Sequence, residues 1–351
     1  MNTHRRNDVL DRPGALIAAL PALLGFVPEH SLVLVTIEDR SLGSVMRADL
    51  APDLIERVNQ LGELAATAGP EAAIMVIVDA DAAACRGCGA DYRDVCAALD
   101  RVLAEHGIAL SAAHVVDHVS AGGRWYCVDG CGSHGSVDDP AASPLAAAAV
   151  FNGRRLYSRR DELRAVVTAD DASRSGAWTA VIEREAQVRS RAGGDTTARQ
   201  CRDVERAVSA VMDLADGRRL PEPVVTHLAC ALRDPAVRDS LYGLAICDLA
   251  AAAESLWGLL ARALPAPWRA EALALLAFSA YARGDGPLAG IALEEALRAE
   301  PAHRMAGMLD TALQSGLRPD DIRELAVTGY RTARQIGAEL PPQTSVRLFR
   351  P

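Results

Sequence analysis

One continuous apolar run, AAIMVIVD at residues 72–79, most constrains what this chain can fold into. A strand rich in β-branched residues that shows no polar alternation must be covered on both faces of its sheet. The neighbouring sequence supplies that cover, since segments with helical periodicity flank the run at about 52–68 and 91–106. We therefore predict that residues 1–165 form an α/β domain.

Further elements of this domain follow from turn residues and periodicity. The segments 31–37 and 44–50 are separated by a polar turn, and 112–119 and 124–128 are separated by Ala121-Gly122-Gly123, so each pair is predicted to form a hairpin. A helix is predicted from Pro13 to Leu24. Together these elements predict a mixed sheet of about five strands with flanking helices.

From about residue 143 onward the periodicity is helical throughout. We predict an all-α domain over 166–340 and a disordered tail at 341–351. The predicted helices lie near 143–151, 159–167, 175–192, 198–216, 221–232, 251–263, 267–282, 287–299 and 302–315.

The region 267–315 contains three consecutive segments with apolar residues at i, i+3, i+4, i+7 and i+8, which is the spacing of a buried helix face. The layout is similar to that of tetratricopeptide repeats and predicts a repeat-like cap, with an ordinary antiparallel helix array as the alternative. The face residues are Leu273, Leu276, Ala277, Ala280 and Tyr281, then Ala289, Ala292, Leu293, Ala296 and Leu297, then Met305, Met308, Leu309, Ala312 and Leu313.

The charge and hydropathy exclude two classes of partner. A net charge of −9 opposes a general affinity for nucleic acid, because phosphate binding requires a basic face. No uncharged apolar stretch reaches the length that a membrane span requires, and the run at 15–27 lacks a signal-peptide cleavage site. We expect a cytoplasmic protein that binds neither nucleic acid nor membrane.

Three segments resemble one known family. RPGALIAALPALLGFVPEHSLVLV (12–35), RWYCVDGCGSHG (124–135) and LLAFSAYARGDGPLAGIALEEALRAEP (275–301) are similar to the actinobacterial family called domain of unknown function 4192. In that family the middle segment carries adjacent cysteines followed by Pro, whereas Gly132 and Ser133 follow Cys131 here. A shared role of the cysteines therefore does not follow from the resemblance, which implies a common fold and no particular activity.

The cysteines indicate possible metal chemistry. Cys85-x2-Cys88 and Cys127-x3-Cys131 have spacings found in four-thiolate zinc sites. The predicted hairpin opposes one shared site, because its second strand runs back across the sheet from the edge where Cys85 and Cys88 follow a strand. A strand of five residues spans about 17 Å, far more than a zinc–sulfur bond of about 2.3 Å.

A smaller site is compatible with the hairpin. Cys127, Cys131 and His134 lie in one Gly-rich loop and can supply three ligands to a structural zinc, with Asp138 or a water as the fourth. The alternative is a buried Cys127 with the other two residues in a surface loop. On the strand 112–119, His114 and His118 share a face and are predicted to be core or edge residues rather than ligands.

No nucleophile elbow, phosphate-binding loop or metalloprotease motif occurs, so no catalytic or cofactor-binding residue is assigned and the question of an enzyme stays open. The leading hypothesis is a non-catalytic or regulatory module whose helical half binds a protein partner. The alternative is an enzyme or small-molecule-binding protein that uses the crevice at the carboxyl ends of the strands, near Asp81, Cys85 and Cys88.

Overall fold

The computed structural model describes residues 12–67, 69–82, 88–151, 154–170, 172–191 and 194–344, with the backbone alone at 88–91 and 172–178. The chain divides into two compact units, one of residues up to Glu162 with Gln314–Gly316, the other of Leu163–Leu313 with the chain from Leu317. The first contains a six-stranded mixed sheet with helices and the second is helical, which confirms the predicted fold class.

The first unit follows the predicted order of elements. It consists of α1 (Pro13–Leu24), β1 (Ser31–Glu38), β2 (Ser41–Asp49), α2 (Leu54–Ala66), β3 (Ala72–Val78), α3 (Cys88–Glu105), β4 (Ala109–Val116), β5 (Arg124–Cys127), β6 (His134–Ser136), a 3-10 turn (Pro140–Ala142), α4 (Pro144–Phe151) and the first residues of α5 (Arg160–Ala165).

The strands lie in the order β2-β1-β3-β4-β5-β6. Strands β3 and β4 are parallel, as a crossover through α3 requires, and the other neighbours are antiparallel. Residues 73–78 of β3 are all buried, as the apolar run predicts. The sixth strand was not predicted, because its three residues, His-Gly-Ser, show no apolar alternation.

One face of this sheet packs against α2 and α3. Alternate residues of the inner strands meet the apolar sides of these two helices, because successive side chains of a strand point to opposite faces. The core on this face includes Leu32, Leu34, Met75, Ile77, Leu99, Leu103 and Val115.

The second unit is built from the remaining helices. These are the second half of α5, then α6 (Ala172–Arg191), α7 (Thr196–Ala215), α8 (Glu222–Ala231), α9 (Pro235–Leu241), a 3-10 segment (Tyr242–Ile246), α10 (Ala250–Ala263), α11 (Trp268–Ala282), α12 (Gly286–Ala299), α13 (Arg304–Gln314) and α14 (Pro319–Gln335).

Helix α11 is buried on all sides, and every residue from Ala270 to Ala282 is buried. It packs against α10, α12 and α14. The one carboxylate in this buried stretch, Glu271, accepts hydrogen bonds from His303 Nε2 at 3.0 Å and from Arg238 at 3.2 Å. These partners compensate the cost of burying the charge.

The structure corrects the predicted helices in two places. Helices α9 and α14 were not predicted, because their buried faces contain small or polar residues such as Ser240, Ala326 and Gly329 that weaken the apolar periodicity. On α13, Met308 was predicted to lie on the inner face but its side chain is 57% exposed. Of the tail, 341–344 is described, and Gln343 forms a β-bridge with Cys247.

No helix in the described parts of the chain is both long and apolar enough to span a bilayer.

A close backbone crossing in the second unit makes Gly329 sensitive to substitution. A Cβ at Gly329 would lie 2.5 Å from Gly243 N and 2.8 Å from Ser240 O, both backbone atoms that cannot move aside. We predict that Gly329→Ala lowers the free energy of unfolding by about 1–3 kcal/mol through overpacking. Gly307, in α13, has nothing within 4 Å of the equivalent position. Gly307→Ala is therefore expected to raise stability by about 0.5–1 kcal/mol, and urea unfolding that ranks the two variants the other way would contradict this packing.

A buried ion network joins α6, α7 and α8. Asp203 is 3% exposed and accepts two hydrogen bonds from Arg189, at 2.5 and 3.3 Å, and one from His227 Nε2 at 2.9 Å. Burial opposes ionisation of Asp203, but the hydrogen bonds from His227 and Arg189 and their charges outweigh it and lower its pKa. Because the pKa of Asp203 is lower in the folded than in the unfolded protein, the ionised carboxylate stabilises the fold at pH values above the unfolded-state pKa. This stabilisation is lost as the pH falls through the folded-state pKa.

We predict that Asp203→Asn destabilises the protein by about 2 kcal/mol at neutral pH, because Arg189 loses a buried anionic partner. In the same helix, Asp213 pairs with Arg218 at an exposed site, so Asp213→Asn is expected to cost less than about 1 kcal/mol. Chemical denaturation at neutral pH and at pH 3 measures both effects, and the difference between Asp203→Asn and wild type should shrink in acid. Equal losses for the two variants would exclude a special role of the network.

Candidate metal centre

The register of β4 and β5 positions the first two side chains of the candidate site. His114 and Cys127 are directly opposite residues in this antiparallel pair, so their side chains project from the same face of the sheet. Beyond Cys127 the chain stays attached to the sheet for one more residue, since Val128 N–H donates to the carbonyl of Ala113. The strand thus delivers Cys127 to a fixed position at the start of a loop.

The loop that follows turns tightly and brings Cys131 back toward Cys127. Its base is closed by a hydrogen bond from Cys127 N–H to the carbonyl of Ser133 at 2.9 Å, and Asp129 Oδ1 accepts from Cys131 N–H, also at 2.9 Å. Gly130 has a φ of 88°, in the left-handed region that favours glycine. The Gly-rich sequence therefore sets up the turn that returns the second thiol.

Within the described parts of the chain, one group of side chains has the geometry of a metal site. The ligand atoms of Cys127, Asp129 and Cys131 lie within 4.8 Å of one another. Cys127 is half-buried, whereas Asp129 and Cys131 are exposed, so the site opens to solvent on one side. Two thiols and a carboxylate at such separations form a donor set that suits zinc.

His114 lies beside this group. Its Nδ1 is 3.2 Å from Cys127 Sγ, and the side chain is only 2% exposed. The ring of Trp125 meets the imidazole edge-on, with centroids 5.2 Å apart, and the indole N–H donates to the carbonyl of Ser136. Trp125 is thereby fixed, and it restricts the orientation of His114.

The electrostatics of the site follow from its burial and its acidic member. Burial, reinforced by the hydrogen bond with Cys131 and the charge of Asp129, raises the pKa of Cys127 to about 12. Burial opposes ionisation of Asp129 as well, but hydrogen bonds from the side chain and backbone of Cys131 and the charge of His114 lower its pKa overall. Cys127 is thus a neutral thiol at pH 7 beside a carboxylate, and a cation that binds there replaces the thiol proton.

Burial also lowers the pKa of His114, an effect that the nearby Asp129 only partly offsets. A neutral imidazole keeps one nitrogen lone pair free to accept a proton or to bind a metal.

The structure brings together two of the three residues predicted as ligands, Cys127 and Cys131. The third, His134, lies on β6 with its Nδ1 3.3 Å from the carbonyl oxygen of Gly132, and it is not part of the close group. Asp138, suggested as a fourth ligand, pairs with Arg12 at 2.8 Å. Sequence reasoning missed Asp129, although the Cys-Val-Asp-Gly-Cys segment placed a carboxylate between the two thiols.

The crevice at the carboxyl end of β3 shows a different arrangement. The Asp79 carboxylate accepts hydrogen bonds from the Tyr92 hydroxyl at 2.5 Å and from Asp81 N–H at 3.1 Å. Both of its oxygens are therefore hydrogen-bonded to groups of the protein itself. Of the predicted crevice residues, Cys85 lies outside the described residues, as does the side chain of Cys88. His114 and His118 were predicted to share a face of one strand, and this prediction is wrong for His118. Strand β4 ends at Val116, and His118 lies beyond it and is exposed.

The sequence model of one family, described as Domain of unknown function (DUF4192), matches residues 13–320. The chain belongs to the DUF4192 family. The match includes His114 and the whole loop from Cys127 to Cys131, so the candidate site lies within the family's domain. A search of curated proteins and a search of solved structures each found no match to the chain. Membership of the DUF4192 family therefore assigns no activity, and a functional conclusion has to come from the site itself.

Proposed function

We propose that the α/β unit is a metal-binding module that takes Zn²⁺ through Cys127, Asp129 and Cys131. The observation that carries this proposal is the convergence of the three ligand atoms to within 4.8 Å of one another. Ligand atoms on a tetrahedral zinc are separated by roughly 3.5–3.8 Å, from zinc–sulfur bonds of about 2.3 Å and zinc–oxygen bonds of about 2.0–2.2 Å. Small adjustments of the exposed Asp129 and Cys131 are enough to close the site.

The role that fits this position is structural. A bound cation would join the end of β5 to the loop that leads to β6, an outer strand of only three residues. Binding to the folded loop and not to the unfolded chain adds its free energy to the stability of this part of the sheet.

We predict about one equivalent of zinc in protein purified under reducing conditions. Cys131→Ser should lower zinc affinity at least about a hundredfold, because it removes a thiolate that binds the metal directly. His134→Ala is the matched control and should keep the full equivalent of zinc. If the ligands were instead Cys127, Cys131 and His134, as the sequence predicts, this variant would lose zinc. Elemental analysis after dialysis against a weak chelator measures both. Less than about a tenth of an equivalent in the wild type, with its thiols shown to be reduced, excludes the site.

For the helical unit we propose a protein-interaction module in the cytosol. Its binding surface includes α13, the last helix of the repeat-like cap over 267–315, and α14, which follows that cap. One observation favours it. The last two helices, α13 and α14, expose the large apolar side chains of Met308 and Leu325, whose exposed fractions are 57% and 52%. Large apolar side chains that a helix exposes provide contacts for a partner helix or peptide.

The prediction for this surface compares two charge substitutions in the full chain. Met308→Glu together with Leu325→Glu should abolish the recovery of a partner that wild type recovers near stoichiometry by crosslinking in the native host, since burying a carboxylate at an apolar interface is costly. Val181→Glu, at another exposed apolar position of the same unit, is the control and should retain that partner. Equal recovery by all three proteins would exclude α13 and α14 as the binding surface.

A further inference from the structure

We infer that His114 is the fourth zinc ligand, so that the centre is a closed site of two thiolates, one carboxylate and one imidazole. This inference rests on the proposed binding of zinc by Cys127, Asp129 and Cys131. Its starting point is the separation of 3.2 Å between His114 Nδ1 and Cys127 Sγ. Nitrogen and sulfur ligands of one tetrahedral zinc lie roughly 3.5 Å apart, given bonds of about 2.0 and 2.3 Å.

The fold directs His114 to this place for reasons independent of any metal. Opposite residues of an antiparallel pair have Cβ atoms about 4.5–5.5 Å apart, and the β4–β5 register makes His114 the partner of Cys127. A shift of β5 by one residue relative to β4 would turn Cys127 to the other face of the sheet, away from His114. The imidazole and the first thiol are therefore held together by the backbone hydrogen bonds of the sheet.

The orientation of the ring is fixed as well. Trp125, two residues before Cys127 on the same strand and hence on the same face, packs edge-on against His114 with an angle of 69° between the rings. Its indole N–H is held by the carbonyl of Ser136 at 3.2 Å. Packing thus sets the ring plane of His114 before a metal binds, as a preorganised ligand requires.

The other half of the site supplies the movement that closure needs. His114 is not within 4.8 Å of every ligand atom of the group, so the site closes only when Asp129 and Cys131 approach the sheet. Both are exposed loop residues, and Gly130 between them permits a change of backbone angles. Zinc would thus draw the loop onto two side chains that the strands hold in place.

A positioning role, in which His114 only hydrogen-bonds the Cys127 sulfur, is the competing interpretation, and substituting the histidine separates the two. The probe is Co²⁺, which is added to reduced, metal-free full-length protein. The visible ligand-field spectrum of bound Co²⁺ reports which donor atoms coordinate it. We expect that His114→Ala weakens Co²⁺ binding at least about tenfold and shifts the spectrum, because an imidazole nitrogen is lost. His114→Gln keeps a hydrogen-bonding group of similar size, and under direct ligation it should fail to restore either property.

Exposed His118, next to Asp117 at the end of β4, provides the matched control, and His118→Ala should match wild type in affinity and spectrum. If His114→Gln behaves as wild type, His114 is not a ligand and the inference is wrong. Absence of metal binding by the wild type would instead contradict the proposed function itself.

A measurement on the wild type covers the case in which the His114 variants do not fold. X-ray absorption at the zinc edge of the loaded protein detects the outer-shell scattering of a coordinated imidazole, and the inference requires this signal in wild type, His118→Ala and His134→Ala alike. Zinc bound without an imidazole signal would overturn the inference while leaving the three-residue site intact. A signal lost only in His134→Ala would assign the imidazole to β6.

Discussion

Backbone hydrogen bonding of β3 to a strand on each side is the interaction on which the α/β unit depends. Strand β3 is antiparallel to β1 and parallel to β4, and its residues from Ala73 to Val78 are buried on both faces. Parallel pairing of β3 and β4 requires a crossover connection, which α3 provides. This pair therefore places α3 on one face of the sheet and makes β4 the neighbour of β3. A register shift of one residue would exchange the side chains that a strand presents to its two faces. The position of β3 fixes the alignment of β4, and β4 in turn fixes the alignment of β5.

The candidate metal centre is a consequence of that register. His114 and Cys127 meet because β5 pairs with β4 at one particular alignment, and Trp125 reaches the imidazole because it precedes Cys127 by two residues. The loop adds Asp129 and Cys131 through a tight turn with an internal hydrogen bond. The centre therefore combines a rigid half on the strands with an exposed half on the loop. Such a division suits a cation that binds after the sheet has formed and fixes the loop that leads to β6.

The helical unit is organised differently, around a helix without an exposed face. Because α11 is buried throughout, its charge at Glu271 requires partners from elsewhere in the unit, and His303 and Arg238 supply them. Asp203 has the same need and meets Arg189 and His227. These pairs join different helices, and removal of one partner leaves a buried charge uncompensated. Apolar packing supplies most of the stability of the helices.

The sequence by itself determined the fold class, most of the helices and strands, and the closeness of Cys127 and Cys131, because these depend on local periodicity and turn residues. It did not determine α14, whose buried face contains Ala326 and Gly329, since small residues carry little apolar signal. Asp129 was within reach of sequence reasoning, as it lies between the two cysteines. The place of His114 was decided only by the tertiary structure, because strand register follows from burial across the whole sheet, and no local pattern reveals which residue will lie opposite Cys127.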